Sequence, residues 1–514
     1  MVYPQPPDKA LLYTAAQTRS LDRIAIETQG VAGFELMKRA AKATFRAMRH
    51  HWPDAKRICI LCGPGNNGGD GFVVAALALE ERAGYQPPAV EVFLVGGETS
   101  VARLQGEARQ AYEWARDRGV LIRPYDSNKQ IEADLVVDAM LGTGLKGTVR
   151  GEYLAAIDAI NRADCGVIAV DIPSGLCSDS GAVLGSAVKA DVTVSFIGVK
   201  RGLLTHQGPE YCGQLMFSDL EVGSPVYDQV PSSLALIDQA YVAHYLPARN
   251  RGAHKGSFGH LLIIGGNQGM AGAVLMAAEA AARSGAGLVS VATRPEHVGS
   301  CHARCPEVMA HGVSRAEQIE PLLARATTVL IGPGLGAGAW AEQMLAAVSA
   351  SNLPSVWDAD ALNLLSRSAN LQSLMNQSRI ITPHPGEASR LLGCSIADIQ
   401  ADRFAAVKSL QQRYGGVSIL KGAGSLVCDG IDTRLCKQGN PGMASGGMGD
   451  VLAGIIASLL AQQLPPMAAA AVAVRVHAEA ADRAAAATGE RGLLATDLIG
   501  YLGVLLNPRQ LISL

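Results

Sequence analysis

Along the chain, short apolar runs alternate with longer stretches in which apolar positions recur every three or four residues. This is the pattern of β-strands joined by helical crossovers in a mostly parallel sheet. In the first half the predicted strands are Arg57–Cys62, Val90–Val95, Asp134–Ala139, Gly166–Asp171 and Asp191–Phe196, with helix-length segments between them. Residues Ala10–His50 precede them and read as helical, with an amphipathic face in FELMKRAAKATFRAM. The alternation breaks at Glu221–Ser233, where two prolines, a glycine and small polar residues follow the last strand. It then restarts with strands at His260–Ile264, Leu288–Ala292, Thr328–Ile331, Ser355–Asp358, Arg379–Thr382 and Val417–Leu420, and a hairpin at Ser425–Cys428 and Thr433–Cys436. Helices at Gly449–Gln462, Pro466–Thr488 and Thr496–Leu506 close the chain. The expectation is two α/β domains, residues 1–228 and 234–514, rather than one giant sheet.

Composition narrows the function. With 514 residues there is length for two to four domains. Lys plus Arg is 44 and Asp plus Glu is 46, a net charge of −2, which argues against nucleic acid as the main partner. Glycine numbers 57 and aromatics are 5%, a balance that suits backbone-lined loops better than a base-stacking platform. Mean hydropathy is +0.17. The most apolar stretch, Val451–Ala461, is still far short of the roughly 18 residues a membrane span needs. The start, MVYPQPPDKALLYT, lacks the basic and apolar regions of a secretory signal. Ten cysteines without framework spacing suit a reduced cytoplasm. Cys59 and Cys62 have redox-pair spacing, but within an apolar strand they read as structural. Cys301 and Cys305, near His297 and His302, have no second cluster to complete a zinc set.

Candidate chemistry lies at the strand ends. Strand Arg57–Cys62 runs into GPGNNGGDG, Gly63–Gly71, and then a helix. Five glycines in these nine residues allow backbone N–H groups to approach a ligand, and a helix N-terminus favours phosphate. VVDAMLGTGLKG places Asp138 at a second strand end, followed by Gly142, Thr143, Gly144, Leu145, Lys146, Gly147 and Thr148. AVDIPSGL places Asp171 and Ser174 at a third. In an open parallel sheet these loops converge on one crevice. Asn67, Asp138 and Ser174 offer oxygen ligands to a hard cation. Asp171 suits an acid/base, against the plainer role of a turn aspartate.

The second half carries GGNQGMAGA, GPGLG, DADALN, TPHPGE, KGAGS and GGMGDVLAG. In the last, Gly446, Gly447 and Gly449 lead into a helix whose first turn holds Asp450. Glycine-rich backbone at a helix start stabilises phosphate charge, and a carboxylate there can deprotonate a hydroxyl aimed at that phosphate. The plainer readings are an aspartate facing the helix dipole, a helix-capping His384, a helix-start Glu387 and a solvated Lys421.

The first-half set, in its order, with KRGLLTHQGPEYCG added, resembles the NAD(P)HX epimerase domain, a Rossmann-like three-layer sandwich. The second-half set resembles the ADP/ATP-dependent NAD(P)H-hydrate dehydratases, which have a ribokinase-like α/β fold; Met448 stands where Gly-Thr-Gly-Asp is more frequent. Together the halves are similar to a bifunctional enzyme repairing hydrated nicotinamide cofactors. The resemblance implies that the first domain interconverts R- and S-NAD(P)HX. The second would dehydrate the S form using ADP or ATP, releasing AMP or ADP and phosphate. It implies Asp171 as the epimerase acid/base, with Lys146 a second candidate. Asn66, Asn67, Gly68, Gly69, Asp70, Asp171 and the loop 142–148 would hold the hydrate. Asn67, Asp138 and Ser174 would hold potassium. In the dehydratase, Asp450 would be the base, and Gly446, Gly447 and Gly449 an anion hole. Lys421, Gly422, Ala423, Gly424 and Ser425 would take the nucleotide phosphates, with Mg²⁺ accompanying the nucleotide. Ala273, Gly334, His384 and Asp450 would contact the hydrate. A cytoplasmic homo-oligomer acting on small molecules, with no membrane or nucleic acid, is expected. The alternative is a small-molecule kinase of the ribokinase-like class fused to a non-catalytic Rossmann-like binding module.

Overall fold

The structure, a computed structural model, describes residues 11–80, 88–97, 99–368 and 378–507. The first ten residues, part of the segment read against a secretory signal, and the end of the helix after Gly71 at 81–83 lie outside the described residues. Two compact units meet between Ser232 and Ser233.

The first unit is built on seven parallel strands. Their spatial order is Ile122–Pro124, Ala89–Leu94, Arg57–Cys62, Leu135–Ala139, Gly166–Val170, Val192–Phe196, Gln214–Ser218. Chain direction across the sheet reverses between Arg57–Cys62 and Leu135–Ala139, and such a switch point opens a crevice at the strand carboxyl ends. Alternate residues of one strand feed two cores, because successive side chains face opposite sides. Ile58, Ile60 and Cys62 join the helices Gly33–His51 and Asn66–Glu80. Cys59 and Leu61 join Ile157 and Ile160 of the helix Glu152–Arg162. The result is three layers. It also separates Cys59 from Cys62 onto opposite faces, and both are free and buried.

The region expected as one helical stretch from Ala10 to His50 is two helices, Ala15–Gln29 and Gly33–His51. Gly30 ends the first in the left-handed conformation, φ +66°, a common helix stop. The Pro-containing break is not merely a linker. Its helix Ser224–Asp228 packs on Ala15–Gln29, with Val226 and Val230 buried in the first core.

The second unit holds ten strands in the order Leu234–Leu236, Thr433–Cys436, Ser425–Cys428, Val417–Leu420, Arg379–Ile381, Ser355–Trp357, Thr328–Ile331, His260–Ile264, Leu288–Thr293, Met309–Gly312. Only Ser425–Cys428 runs against its neighbours. The order reverses between His260–Ile264 and Thr328–Ile331, a second switch point. One face is covered by the helices Ala271–Arg283, Met448–Ala461 and Pro466–Thr488, whose alanines permit close packing. The helix Arg403–Tyr414 packs on Val417–Leu420 and Ser425–Cys428. Among the described residues no helix is long and apolar enough to cross a membrane.

The helices Ala271–Arg283 and Met448–Ala461 come into backbone contact at Gly454, where a Cβ would lie 2.2 Å from the carbonyl oxygen of Ala277. Gly454→Ala gains about 1 kcal/mol of helix propensity. Forcing backbone apart in a filled core costs about 1–3 kcal/mol. The second unit's denaturant midpoint should therefore fall; an unchanged or higher midpoint would show that the helices part freely.

Candidate functional site

At the first switch point lies a cavity of about 800 Å³. Of the residues singled out from sequence, Asn66, Asn67, Asp70, Gly142, Thr143, Gly144, Leu145, Lys146 and Asp171 line it. Gly68 and Gly69 are buried in the start of the helix Asn66–Glu80 and form no part of the wall. Gly147 and Thr148 are off it as well; the Thr148 side chain lies against Gly185.

Asp171 follows the strand Gly166–Val170 at φ +66°, a left-handed conformation rare for aspartate. Its amide donates to the carbonyl of Val194 at 2.8 Å, and its carboxylate accepts from the Phe196 amide at 3.2 Å. The Nζ of Lys200 forms a short ion pair with that carboxylate, and also donates to the Phe196 carbonyl at 2.9 Å and to Ser195 Oγ at 3.3 Å. Lys200 is 1% exposed. Thus the amine on Asp171 is Lys200, whereas Lys146 is an exposed residue on the same cavity wall. From sequence, Lys200 has only a place in a glycine-spaced loop; its signal is a lysine directly after the apolar run VSFIGV. Asp70 is pushed well above the usual carboxyl range by burial and by the nearby Asp171 and Asp22 carboxylates.

Asp138 and Ser174 sit beneath this wall, both fully buried. The Asp138 carboxylate accepts from Ser174 N at 2.7 Å, Ser174 Oγ at 2.6 Å and Met140 N at 3.2 Å. Burial pushes its carboxyl up to about 6, against these hydrogen bonds. The side-chain oxygen and nitrogen of Asn67 are buried without a partner. An orphaned amide oxygen on the wall, and a buried carboxylate and hydroxyl behind its Met140–Leu141 segment, are the oxygen donors that a hard cation takes.

At the second switch point the loops after His260–Ile264 and Thr328–Ile331 interlock. Gly266 N donates to the Pro333 carbonyl at 2.9 Å, and Asn267 N to the Gly334 carbonyl at 2.7 Å. Ala273 and Gly334 are neighbours: a Cβ on Gly334 would lie 3.2 Å from that of Ala273. Asp360 accepts from Gly336 N at 2.8 Å.

Asp358, buried at the end of Ser355–Trp357, accepts from Lys421 Nζ at 2.8 Å and Thr382 Oγ1 at 2.5 Å. Glu387 Oε2 lies 3.8 Å from the same ammonium. Burial works against the charge on Lys421, but Asp358 and Glu387 outweigh it and raise its pKa. Lys421 is therefore an engaged cation, not a solvated one. A Cβ on Gly449 would lie 3.3 Å from Lys421 Nζ and 3.6 Å from Asp358 Oδ2, so GGMGD and KGAGS face each other. Gly447, at φ +90°, caps the helix Met448–Ala461 in a conformation that favours glycine. Asp450, in that helix's first turn, is pushed up to about 7 by burial and by Asp358, with Lys421 opposing.

His384 caps the helix Pro385–Leu392: its Nδ1 accepts from Gly386 N at 3.0 Å, and its amide donates to Glu387 at 2.8 Å. Burial and the Lys421 charge lower its pKa. Burial pushes Glu387 up to about 7. Arg403 is not among the residues that the motifs single out. Nearly inaccessible, its Nη2 reaches the carbonyls of Leu420 at 3.3 Å, Lys421 at 3.2 Å and Gly424 at 3.5 Å, and so braces the loop 421–425 from behind. Its signal is faint, an arginine at the start of an amphipathic helix. The Cys301 and Cys305 neighbourhood forms no metal set: among the described residues no group of three or more His, Cys, Asp or Glu is arranged to hold an ion.

Residues 33–202 match the family model for the YjeF-related protein N-terminus, and residues 261–503 the model for NAD(P)H-hydrate dehydratase. The chain is 49% identical to the bifunctional NAD(P)H-hydrate repair enzyme Nnr of Coxiella burnetii, over 97% of this chain and 100% of that one. It is 43% identical to the enzyme of that name from Escherichia coli, over 97% and 94%. Among solved structures, a ribokinase-like superfamily protein from Enterococcus faecalis is 32% identical with a TM-score of 0.50, covering 54% of this chain and 96% of its own. The second unit is thus ribokinase-like, and the chain belongs to the family of bifunctional NAD(P)H-hydrate repair enzymes.

Proposed function

We propose that the first unit interconverts the C6 epimers of hydrated NADH and NADPH, and that the second dehydrates the S epimer at the expense of ADP or ATP. The observation that carries the second activity is Asp450 in the first turn of a glycine-started helix, facing the Lys421–Asp358 pair. The course is phosphoryl transfer followed by elimination. The C6 hydroxyl oxygen attacks the terminal phosphorus while Asp450 takes its proton, and the phosphoanhydride bond breaks to release AMP or ADP. The C6–O bond of the phosphate ester so formed then breaks, its electrons leaving with inorganic phosphate. The released phosphate takes the C5 proton and the C5=C6 bond re-forms, giving the dihydropyridine. The backbone of Gly446, Gly447 and Gly449, with Lys421–Ser425, holds the phosphates. Mg²⁺ would enter with the nucleotide and neutralise phosphate charge. Ala273, Gly334 and His384 would border the hydrate.

In the first unit Asp171 would be the acid/base that carries the proton of the C6 hydroxyl. Lys200 and the Phe196 amide fix its carboxylate. Asn66–Asp70 and the loop 142–148 would hold the substrate; those of them on the wall would touch it. Asn67, Asp138 and Ser174 would hold potassium, which would supply a fixed positive charge under the loops. All ten cysteines are free, which supports a reducing, cytoplasmic setting; a homo-oligomer is also proposed.

The defining assay is incubation with purified NADHX epimers and ADP or ATP, following nicotinamide absorbance and inorganic phosphate. A kinase would instead leave a stable phosphoester. Asp450→Asn should lower dehydration by ~10²–10⁴-fold and leave epimerisation intact. Because Asp450 must be ionised to take a proton, wild-type dehydration should rise with pH through about 7 and be lost below it. Near-normal turnover in the variant would remove Asp450 from its role.

Cut between Ser232 and Ser233, the two halves should each fold and keep their own activity, since the boundary separates compact units with separate cores. Two folded but inactive halves would mean a shared site.

Epimerisation should need Asp171 and a monovalent cation but no nucleotide. At neutral pH, starting from pure R epimer, Asp171→Ala should fall to the uncatalysed rate. Replacing potassium by a bulky organic cation, or Asp138→Ala, should cost much of the activity. An Asp171→Ala protein that epimerises like wild type would overturn the assignment.

A further inference from the structure

The first cavity holds a carboxyl group that lies ahead of the matched family region, which begins at residue 33. Asp22 projects from the helix Ala15–Gln29, whose Leu21 and Ala25 are fully buried in the core. That helix is tied to the catalytic strand ends. Leu12–Tyr13, just before it, pairs in parallel with Val199–Lys200, placing Tyr13 opposite Lys200. Thr14 caps the helix through a reciprocal bond with Gln17, and the Ala15 amide donates to Asp179 at 2.7 Å. The backbone that presents Asp22 is thus registered against the strand that presents Lys200.

Taking the epimerase reading above as its basis, we propose that Asp22 is the second proton-carrying group of this cavity, working with Asp171 at C6 of the hydrated nicotinamide. In this course epimerisation breaks and remakes the C6–O bond. The N1 lone pair forms a C6=N1 iminium while one carboxyl group donates a proton to the departing hydroxyl, which leaves as water. Water then adds to the other face of C6, the iminium electrons return to N1, and the second carboxylate takes the surplus proton. The pair carries one proton before and after the exchange and none while the iminium and the released water exist, and no oxidant or reductant is needed. In the reverse direction their roles exchange, so a pair is required where a single acid/base would have to serve both faces.

The surroundings suit a shared proton. Facing Asp22 are Lys200, which favours its carboxylate, and Asp171, which disfavours it. Asp70 and Tyr227 also feel its charge, from the helices Asn66–Glu80 and Ser224–Asp228. Arg19, on the same helix, lines the cavity. Burial is the largest influence and pushes Asp22 up to about 6.

The test uses the full chain and pure R epimer, with uncatalysed exchange subtracted, across pH 5 to 9. Wild-type epimerisation should decline as pH rises above about 6, as the shared proton is lost. Asp22→Asn should lower kcat by about 10²-fold or more, change KM by less than about threefold, and abolish that limb. Asp22→Glu should recover about tenfold or more of the loss and displace the limb. Dehydration of S epimer by the same preparations should be unchanged. An Asn variant with wild-type kcat and an intact limb would overturn the proposal. So would equal losses in the Asn and Glu variants with earlier melting of the first unit, which would assign Asp22 to packing. A wild-type chain that does not epimerise at all would instead sink the epimerase reading, and this inference with it.

Discussion

In each half of the chain a carboxylate at the carboxyl end of a buried parallel strand is met by a lysine ammonium, and the loops around each site are organised on that pair. In the first, Asp171 is met by Lys200; in the second, Asp358 is met by Lys421. Removing one partner from such a pair is costly, because it strands the other charge away from water, on the order of 3–5 kcal/mol. Each lysine is held by more than its carboxylate. Lys200 also donates to Ser195 and Phe196, and Lys421 lies within reach of Glu387. The ammonium groups therefore do two things at once. They allow negative charge to persist at a switch point, and they fix where the loops around it lie.

The architecture was largely legible. Strands such as His260–Ile264, Thr328–Ile331 and Val417–Leu420 emerge with the bounds expected from their apolar runs, since strands covered on both faces are apolar at most positions. The strands missed in the two large sheets, Ile122–Pro124, Gln214–Ser218, Leu234–Leu236 and Met309–Gly312, lie at sheet edges, where partial exposure dilutes the pattern, and the missed pair Leu12–Tyr13 and Val199–Lys200 is only two residues long on each side. Among candidate site residues, glycine-rich loops announced themselves because few other residues permit that backbone. The side chains acting on those loops were silent. Arg403 lies 17 residues and more before the carbonyls it holds, and Asp22 is one acidic residue on a helix with several polar positions. Their importance comes from folding partners that spacing cannot reveal. His384 shows the converse: its place in TPHPGE drew attention, and its visible work is that of a helix cap with Glu387 as the reciprocal partner.

The backbone at these two carboxylates shares a second property. Asp171 has φ +66°, and Ala359, directly after Asp358, has φ +49°. Left-handed backbone at non-glycine residues costs roughly 1–3 kcal/mol and persists only where the surroundings over-determine it. Here they do. Asp171 N is bound to the Val194 carbonyl, and Asp358 N to that of Ile331, so the neighbouring strand holds each carboxylate residue in the sheet up to the point where the chain must turn. A strand that turned one residue earlier would point the carboxylate along the sheet face, into apolar packing. By turning after the last ladder bond, it delivers the charge to the crevice with the rigidity of the sheet behind it. Preorganisation of this kind lowers the reorganisation needed when charge develops on a substrate. The unusual backbone, the buried ammonium and the switch point are therefore one device, built once in each half on unrelated loop sequences.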